Sequence, residues 1–157
     1  MHIGIISDTH GLLRTEAERA LQGMDLIVHA GDVGTPDVLM RLKRIAPVFA
    51  VRGNVDTQAW AQELPVRAVV EAGGASFYVL HNLRELDLRA DAERFDFVVS
   101  GHTHQAQQTE QKGVLYVNPG SAGPRRFGLP VTLARLDLER RPWRAEIVEL
   151  VEGRGVS

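Results

Sequence analysis

Seven residues of the types that bind transition metals or move protons fall in five short stretches of this chain. They are Asp8 and His10 in SDTHG, Asp32 in AGDVG, Asn54 in RGNVD, His81 at the end of SFYVLH, and His102 and His104 in SGHTHQ. Imidazole is the commonest side-chain ligand for such metals, and carboxylate and amide oxygens add harder donors. Taken singly, each residue has a plainer use. Asp8 reads as a helix cap, Asp32 as a turn aspartate, Asn54 as a left-handed residue beside Gly53, and His81 as a hydrogen-bonded core histidine. Turns do not require histidine, so the joint set points to a metal centre. The chain has no cysteine, which excludes thiolate sites, disulfides and a cysteine nucleophile together. A metal here must bind nitrogen and oxygen.

The elements that gather these residues follow from the apolar pattern. HIGIIS (2–7), LIVHA (26–30) and VFAVR (48–52) read as buried strands. Between them, Thr15 with Glu18 forms a capping box, and Thr35 before Pro36 places an N-cap ahead of an N1 proline, so a parallel βαβαβ unit is predicted. Further on, RAVVEA (67–72) and SFYVLH (76–81) flank Gly73 and Gly74, a hairpin signal. A helix is expected over roughly Glu85 to Arg94, then strands DFVVS (96–100), VLYVN (114–118), VTLARLDL (131–138) and WRAEIVEL (143–150). The last two alternate as antiparallel strands with one wet face do. Each of the seven residues then stands at or just past the carboxyl end of a strand, where open α/β sheets bind ligands. His29 lies inside a strand and is expected in the core or supporting the ligands. His2, at the terminus, has no expected role.

A length of 157 residues suits one domain, taken as 1–157, with its own core. A net charge of -2 and a pI near 6.3 argue against a broad basic surface, so no extended nucleic-acid partner is expected and a small phosphate ester remains a fitting substrate. The opening apolar run is too short for a signal-peptide core or a membrane span. A cytoplasmic protein without a membrane partner is expected, with a homo-oligomer left open.

The ordered set D-x-H (Asp8, His10), G-D (Gly31, Asp32), G-N (Gly53, Asn54), a strand-end His81 and G-H-x-H (Gly101, His102, His104) resembles the calcineurin-like metallophosphoesterases. The short length, the Val55-Asp56 after Gly-Asn and the loop NPGSAGPR (118–125) are most similar to the small bacterial and archaeal branch, the YfcE/MJ0936-type phosphodiesterases. The likeness runs from Met1 to about Glu149. It implies a four-layer α/β/β/α sandwich with a two-metal centre at its rim. Carried over residue by residue, Asp8, His10 and His104 serve the first ion, Asn54, His81 and His102 the second, and Asp32 bridges them. The two histidines of SGHTHQ would thus belong to different ions, ~3.5 to 4 Å apart, with a hydroxide between the ions attacking a phosphate diester. Such a set leaves each ion open positions, as a catalytic site requires. Its nitrogen-rich donors suit Mn, Fe, Co, Ni or Zn better than Mg or Ca, and Mn is expected.

In the NPGSAGPR loop, Arg125 and Arg126 offer forked donors for phosphate oxygens. Arg125 reads equally well as solvated, and Arg126 reads better so. Asn54 and Arg125 are the candidate substrate contacts. Two departures from the family pattern stand out. His81 is followed by Asn82 where glycine is usual, a change asparagine tolerates even at positive φ. Val55 replaces the histidine usual after Gly-Asn, a residue thought to protonate the leaving oxygen or steady the transition state. Valine does neither, so diesters with good leaving groups are expected to be preferred over phosphomonoesters. No general acid is identified. Asn54 and Asp56 are supporting candidates, Asp56 as a partner that orients a ligand. The rival reading is a protein-binding scaffold on the same fold, as in the retromer subunit Vps29. A scaffold need not keep every ligand, and here all seven positions hold competent types.

Overall fold

The structure, a computed structural model, describes residues 1–86 and 94–150. A first sheet forms from β1 (His2–Ile6), β2 (Leu26–His29), β3 (Val48–Ala50), β9 (Thr132–Asp137) and β10 (Ala145–Glu149), in the order β10-β9-β1-β2-β3. β1, β2 and β3 run parallel, and β9 runs antiparallel to β1. Central β1 is covered on both faces, which is why HIGII reads as a continuous apolar run rather than an alternation. Ile3 and Ile5 enter the core between the sheets. Ile6 enters the core beneath α1 (Thr15–Ala20) and α2 (Pro36–Lys43). Gly4 faces the helices, where an added Cβ would overlap Leu21 and lie 3.2 Å from Met24.

The second sheet takes β4 (Arg67–Ala72), β5 (Ala75–Leu80), β6 (Phe97–Val99), β7 (Gln107–Gln111) and β8 (Val114–Asn118), in the order β4-β5-β6-β8-β7. Gly73 and Gly74 both adopt positive φ, 57° and 81°, and close a two-residue hairpin with Ala72 opposite Ala75. Phe77, Val79, Phe97 and Val99 face the first sheet, while Tyr78, Leu80 and Val98 form a smaller cluster on the far side. Phe77 and Phe97 stack with centroids 4.6 Å apart, and Trp143 closes over Phe97 at 5.3 Å. Truncating such a buried aromatic to alanine costs ~3 to 5 kcal/mol. Three of the four expected layers, helices and two sheets, lie in the described residues. The helix expected over roughly Glu85 to Arg94 falls mostly on residues 87–93, which lie outside the described residues; a 3₁₀ turn, Leu83–Glu85, ends where that span begins.

Two local expectations change, and one strand is added that the apolar pattern does not predict. The capping box at Thr15 does not form, because Arg14 takes the N-cap position and Thr15 begins the helix; Glu18 instead binds Arg41 of α2 with contacts of 2.7 and 3.3 Å. Asn82 has an extended φ of -111° and caps the Leu83–Glu85 turn by accepting from the Arg84 amide at 3.0 Å. Strand β7, QQTEQ, carries no apolar alternation; it is an edge strand pinned by pairing with β8 and by Gln108, whose side chain exchanges bonds of 3.0 and 2.7 Å with the backbone of Ala145. Thr35 and Pro36 start α2 as expected. No helix among the described residues is long and apolar enough to cross a membrane.

Candidate metal centre

Five strand ends converge on one rim. The exits of β1, β2 and β3 bring Asp8, His10, Asp32 and Asn54, and those of β5 and β6 bring His81, His102 and His104. Backbone and side chains sew the two sheets together at this point. His81 Nδ1–H donates to the Ala30 carbonyl at 2.8 Å, the Gly101 amide to the His81 carbonyl at 2.9 Å, and the His102 amide to Asp8 Oδ2 at 3.0 Å.

Each carboxylate is oriented through one oxygen and offers the other. Asp8 Oδ2 accepts from Ser7 Oγ at 2.7 Å as well as from His102, which leaves Oδ1 facing His104 Nε2 at 3.4 Å, His10 Nε2 at 3.7 Å and His81 Nε2 at 3.8 Å. Asp32 Oδ1 accepts from the Val55 amide at 3.0 Å, and its Oδ2 lies 3.1 Å from His81 Nε2 and 3.6 Å from His10 Nε2. Asn54 Oδ1 stands 3.3 Å from His102 Nδ1, and the His102 ring meets His81 edge-on at 5.2 Å. Asp8, His10 and His104 present ligand atoms within 4.8 Å of one another, and so do Asp8, Asp32 and His81.

Two further observations mark this rim. Asp8 Oδ1, His10 Nε2, His81 Nε2 and His104 Nδ1 are buried without a hydrogen-bond partner. Each such atom costs ~1 to 3 kcal/mol, and three of them converge, with Asp8 Oδ1 3.7 Å from His10 Nε2 and 3.8 Å from His81 Nε2, which fits cation ligands better than it fits a folded core. The backbone is also forced: Asp8, His10, Asp32, His102 and His104 have φ of 55°, 48°, 55°, 74° and 66°. Non-glycine residues seldom adopt this region, and its cost is borne where function requires the geometry.

The motif glycines clear the space. An added Cβ at Gly31 would lie 2.7 Å from His81 Nδ1, one at Gly53 would overlap Asp32 Oδ1, and one at Gly101 would overlap Ser7 Oγ and sit 2.6 Å from Asp8 Oδ2. Asp56 and His29 hold the loops from behind. Asp56 accepts from the amides of Val33, Gly34 and Gly53 at 3.1, 3.0 and 2.9 Å, tying the loop of Asp32 to the loop of Asn54. His29 is fully buried; its Nδ1 accepts from the Gly31 amide at 3.1 Å, so Nε2 carries the proton toward Thr9 Oγ1 at 3.0 Å. Thr9 in turn donates to the Val33 carbonyl at 2.8 Å. Burial lowers the His29 pKa to about 4 and keeps this relay neutral.

His81 and Asp32 shift one another's titration. Burial works against a proton on His81, but the Asp32 carboxylate and Asp8 outweigh it and raise its pKa. Burial would likewise raise Asp32, yet His81 and the Val55 amide hold it below its ordinary value. His104 is pushed down, by burial first and then, against the pull of Asp8, by its neighbours His10 and Arg126.

The flanking residues divide differently from the sequence reading. Arg125 turns Nε to the Leu129 carbonyl at 3.3 Å, whereas the charge of Arg126 bears on His104. Val55 is 45% exposed and touches the site through its backbone. The residue the sequence did not single out is Phe127, whose ring meets His104 edge-on at 5.7 Å. A cavity of about 530 Å³ lined by His2, Arg135 and Arg144 lies at the opposite end of β1 and takes no part in this rim.

Facing sheets whose parallel strands deliver histidines and carboxylates to a common rim define a metallophosphoesterase-type α/β protein. The chain belongs to the calcineurin-like phosphoesterase superfamily, whose domain profile matches residues 1–141. It is 34% identical over 156 residues to a probable metallophosphoesterase of Methanothermobacter thermautotrophicus, covering 89% of this chain and 88% of that relative. A solved archaeal phosphodiesterase superposes with a TM-score of 0.77 at 26% identity, covering 94% of this chain and 100% of the other. A Vps29 from Entamoeba histolytica, solved with zinc, superposes with a TM-score of 0.72 over 96% of this chain and 100% of the other; at 20% identity that likeness is one of fold.

Proposed function

We propose that the chain is a two-metal phosphodiesterase acting on a small phosphate diester. The observation that carries this reading is the group of buried, unpartnered ligand atoms on Asp8, His10 and His81, beside which His104 turns Nε2 to Asp8. The residues fit a pair of divalent ions: Asp8, His10 and His104 would hold one, Asn54, His81 and His102 the other, and Asp32, whose Oδ2 faces both His10 and His81, would be shared. Manganese is the ion we assign for activity, on the mixed nitrogen and oxygen donors. When bound, two such ions supply Lewis acidity toward the phosphoryl oxygens and lower the pKa of water enough to make a nucleophile near neutral pH.

The chain's own residues set what the centre can attack. Ser7, the His102 amide and the Val55 amide fix the two carboxylates, and Asp56 and His29 fix the loops behind them. Arg126 adds positive charge whose field reaches His104 and favours an anion at the rim. Proton donation to the leaving oxygen is the weak step. Valine at position 55 has no proton to give, and Asp56 is engaged by three backbone amides. Diesters with good leaving groups depend least on that proton, so they are the preferred substrates.

A manganese-dependent assay comparing bis-p-nitrophenyl phosphate, p-nitrophenyl phosphate and a panel of nucleotides tests the proposal. Turnover of the aryl diester ahead of the monoester is expected. Metal bound at two equivalents with no turnover of any substrate would instead favour a metal-holding scaffold.

A further inference from the structure

Phe127 is the most exposed large apolar side chain among the described residues, at 79%. Its backbone adopts φ of 58°, a region a bulky side chain rarely enters. Seven described non-glycine residues have positive φ: Asp8, His10, Asp32, His102, His104, Lys112 and Phe127. Lys112 belongs to the turn between β7 and β8, where Gly113 follows it, and needs no other account. The other five are ligand-type residues of the rim. Phe127 alone shares their backbone without a metal-binding side chain, and its ring rests edge-on against the ring of His104 at 5.7 Å with the planes 64° apart.

Neither the exposure nor the left-handed backbone helps the chain fold. Glycine would fill this loop position without strain, as Gly128 does beside it at φ of 66°. The arrangement sets an aromatic ring at the edge of the centre, 79% exposed to solvent, next in sequence to the cationic Arg126. A flat ring so placed stacks on other flat rings with little selectivity among them.

We propose that Phe127 is a specificity-determining platform: the nucleobase of a nucleotide-derived phosphodiester stacks on its ring while the phosphate occupies the metal centre. This rests on the phosphodiesterase reading above and narrows its substrate class to esters that carry a nucleobase. The ring's edge contact with His104 keeps it within one nucleotide of the phosphate position.

Calorimetric binding to the manganese-loaded protein separates the platform from the centre, with adenosine monophosphate and ribose 5-phosphate as probes that differ by the base. The wild type is expected to bind adenosine monophosphate about 5- to 100-fold more tightly than ribose 5-phosphate. Phe127→Ala should bring the two within about twofold by weakening the nucleotide alone, and Phe127→Trp should keep the preference. Phe127→Gly should lose the preference while raising Tm, which shows that the loss is not one of folding. A preference absent from the wild type, or surviving in Phe127→Ala, overturns the platform and leaves the phosphodiesterase reading standing. Failure of the wild type to bind either probe overturns both.

Discussion

The amide of Val55 donates to Asp32 Oδ1 at 3.0 Å, so the residue that lacks a proton to give still sets the orientation of the carboxylate we place between the ions. Its side chain is 45% exposed, and a substitution there changes the rim without disturbing the core. Val55→His is therefore expected to shift stability by no more than ~0.5 kcal/mol and to keep the backbone bond. It should raise kcat/KM for an alkyl phosphomonoester by ~10²-fold or more and leave an aryl diester nearly unchanged. Steady-state kinetics at matched manganese loading decide it. A wild type that already hydrolyses the alkyl monoester as fast as the aryl diester removes the argument.

The two aspartates separate by stoichiometry. Asp32 Oδ2 lies 3.6 Å from His10 and 3.1 Å from His81, one from each proposed ligand set; Asp8 Oδ1 also faces both sets but lies nearer His104 and His10, at 3.4 and 3.7 Å, than His81, at 3.8 Å. Asp32→Asn should take the manganese content from near two equivalents toward none, and Asp8→Asn to near one. Elemental analysis after removal of free metal reads both. If Asp8→Asn empties the centre and Asp32→Asn does not, Asp8 is the shared ligand.

The arginines of the NPGSAGPR segment are expected to behave unequally. Arg126→Ala should raise KM for a diester by about tenfold, the loss of one charge-assisted contact, with a smaller effect on kcat. Arg125→Ala, whose Nε is spent on the Leu129 carbonyl, should stay within about twofold of the wild type. The reverse pattern would return Arg125 to the site.

His29 makes the ion-free protein acid-sensitive. Its folded pKa of about 4 lies below the ordinary 6.5, so between those values the unfolded chain binds the extra proton. The stability linked to His29 is full above pH 6.5, falls as pH drops toward 4, and amounts to about 3 kcal/mol over the interval. Urea unfolding in the presence of a chelator should show this slope in the wild type, and a shallower one in His29→Gln. Parallel curves for the two proteins would refute it.

Much of the rim was legible in the sequence because histidine and aspartate at strand ends interrupt an otherwise apolar pattern. The strands themselves were legible where both faces are buried, as in β1 and β6. Strand β7 was not, since an exposed edge strand such as QQTEQ has no buried face to impose alternation. The capping box at Thr15 failed because the chain enters α1 one residue earlier and Glu18 finds a stronger partner in Arg41. Asp56 stood in the right motif, but the amides of Val33 and Gly34 that it holds come from another loop. Phe127 left no periodic trace. Its significance lies in a backbone angle and a ring contact with His104, and both are tertiary facts.

Gly31, Gly53 and Gly101 each make room for a side chain that belongs to a different motif: His81, Asp32 and Asp8. The five short motifs are thus not independently heritable. A lineage that replaces Gly31 by a larger residue gains nothing by keeping a histidine opposite, and one that keeps His81 cannot drift at Gly31. Pairwise co-variation should therefore link Gly31 with His81, Gly53 with Asp32 and Gly101 with Asp8 across aligned relatives, more strongly than each glycine is linked to the ligand that follows it in its own motif. Relatives that retain His81 beside a bulky residue at position 31 would show that the two sheets can part far enough to loosen the coupling.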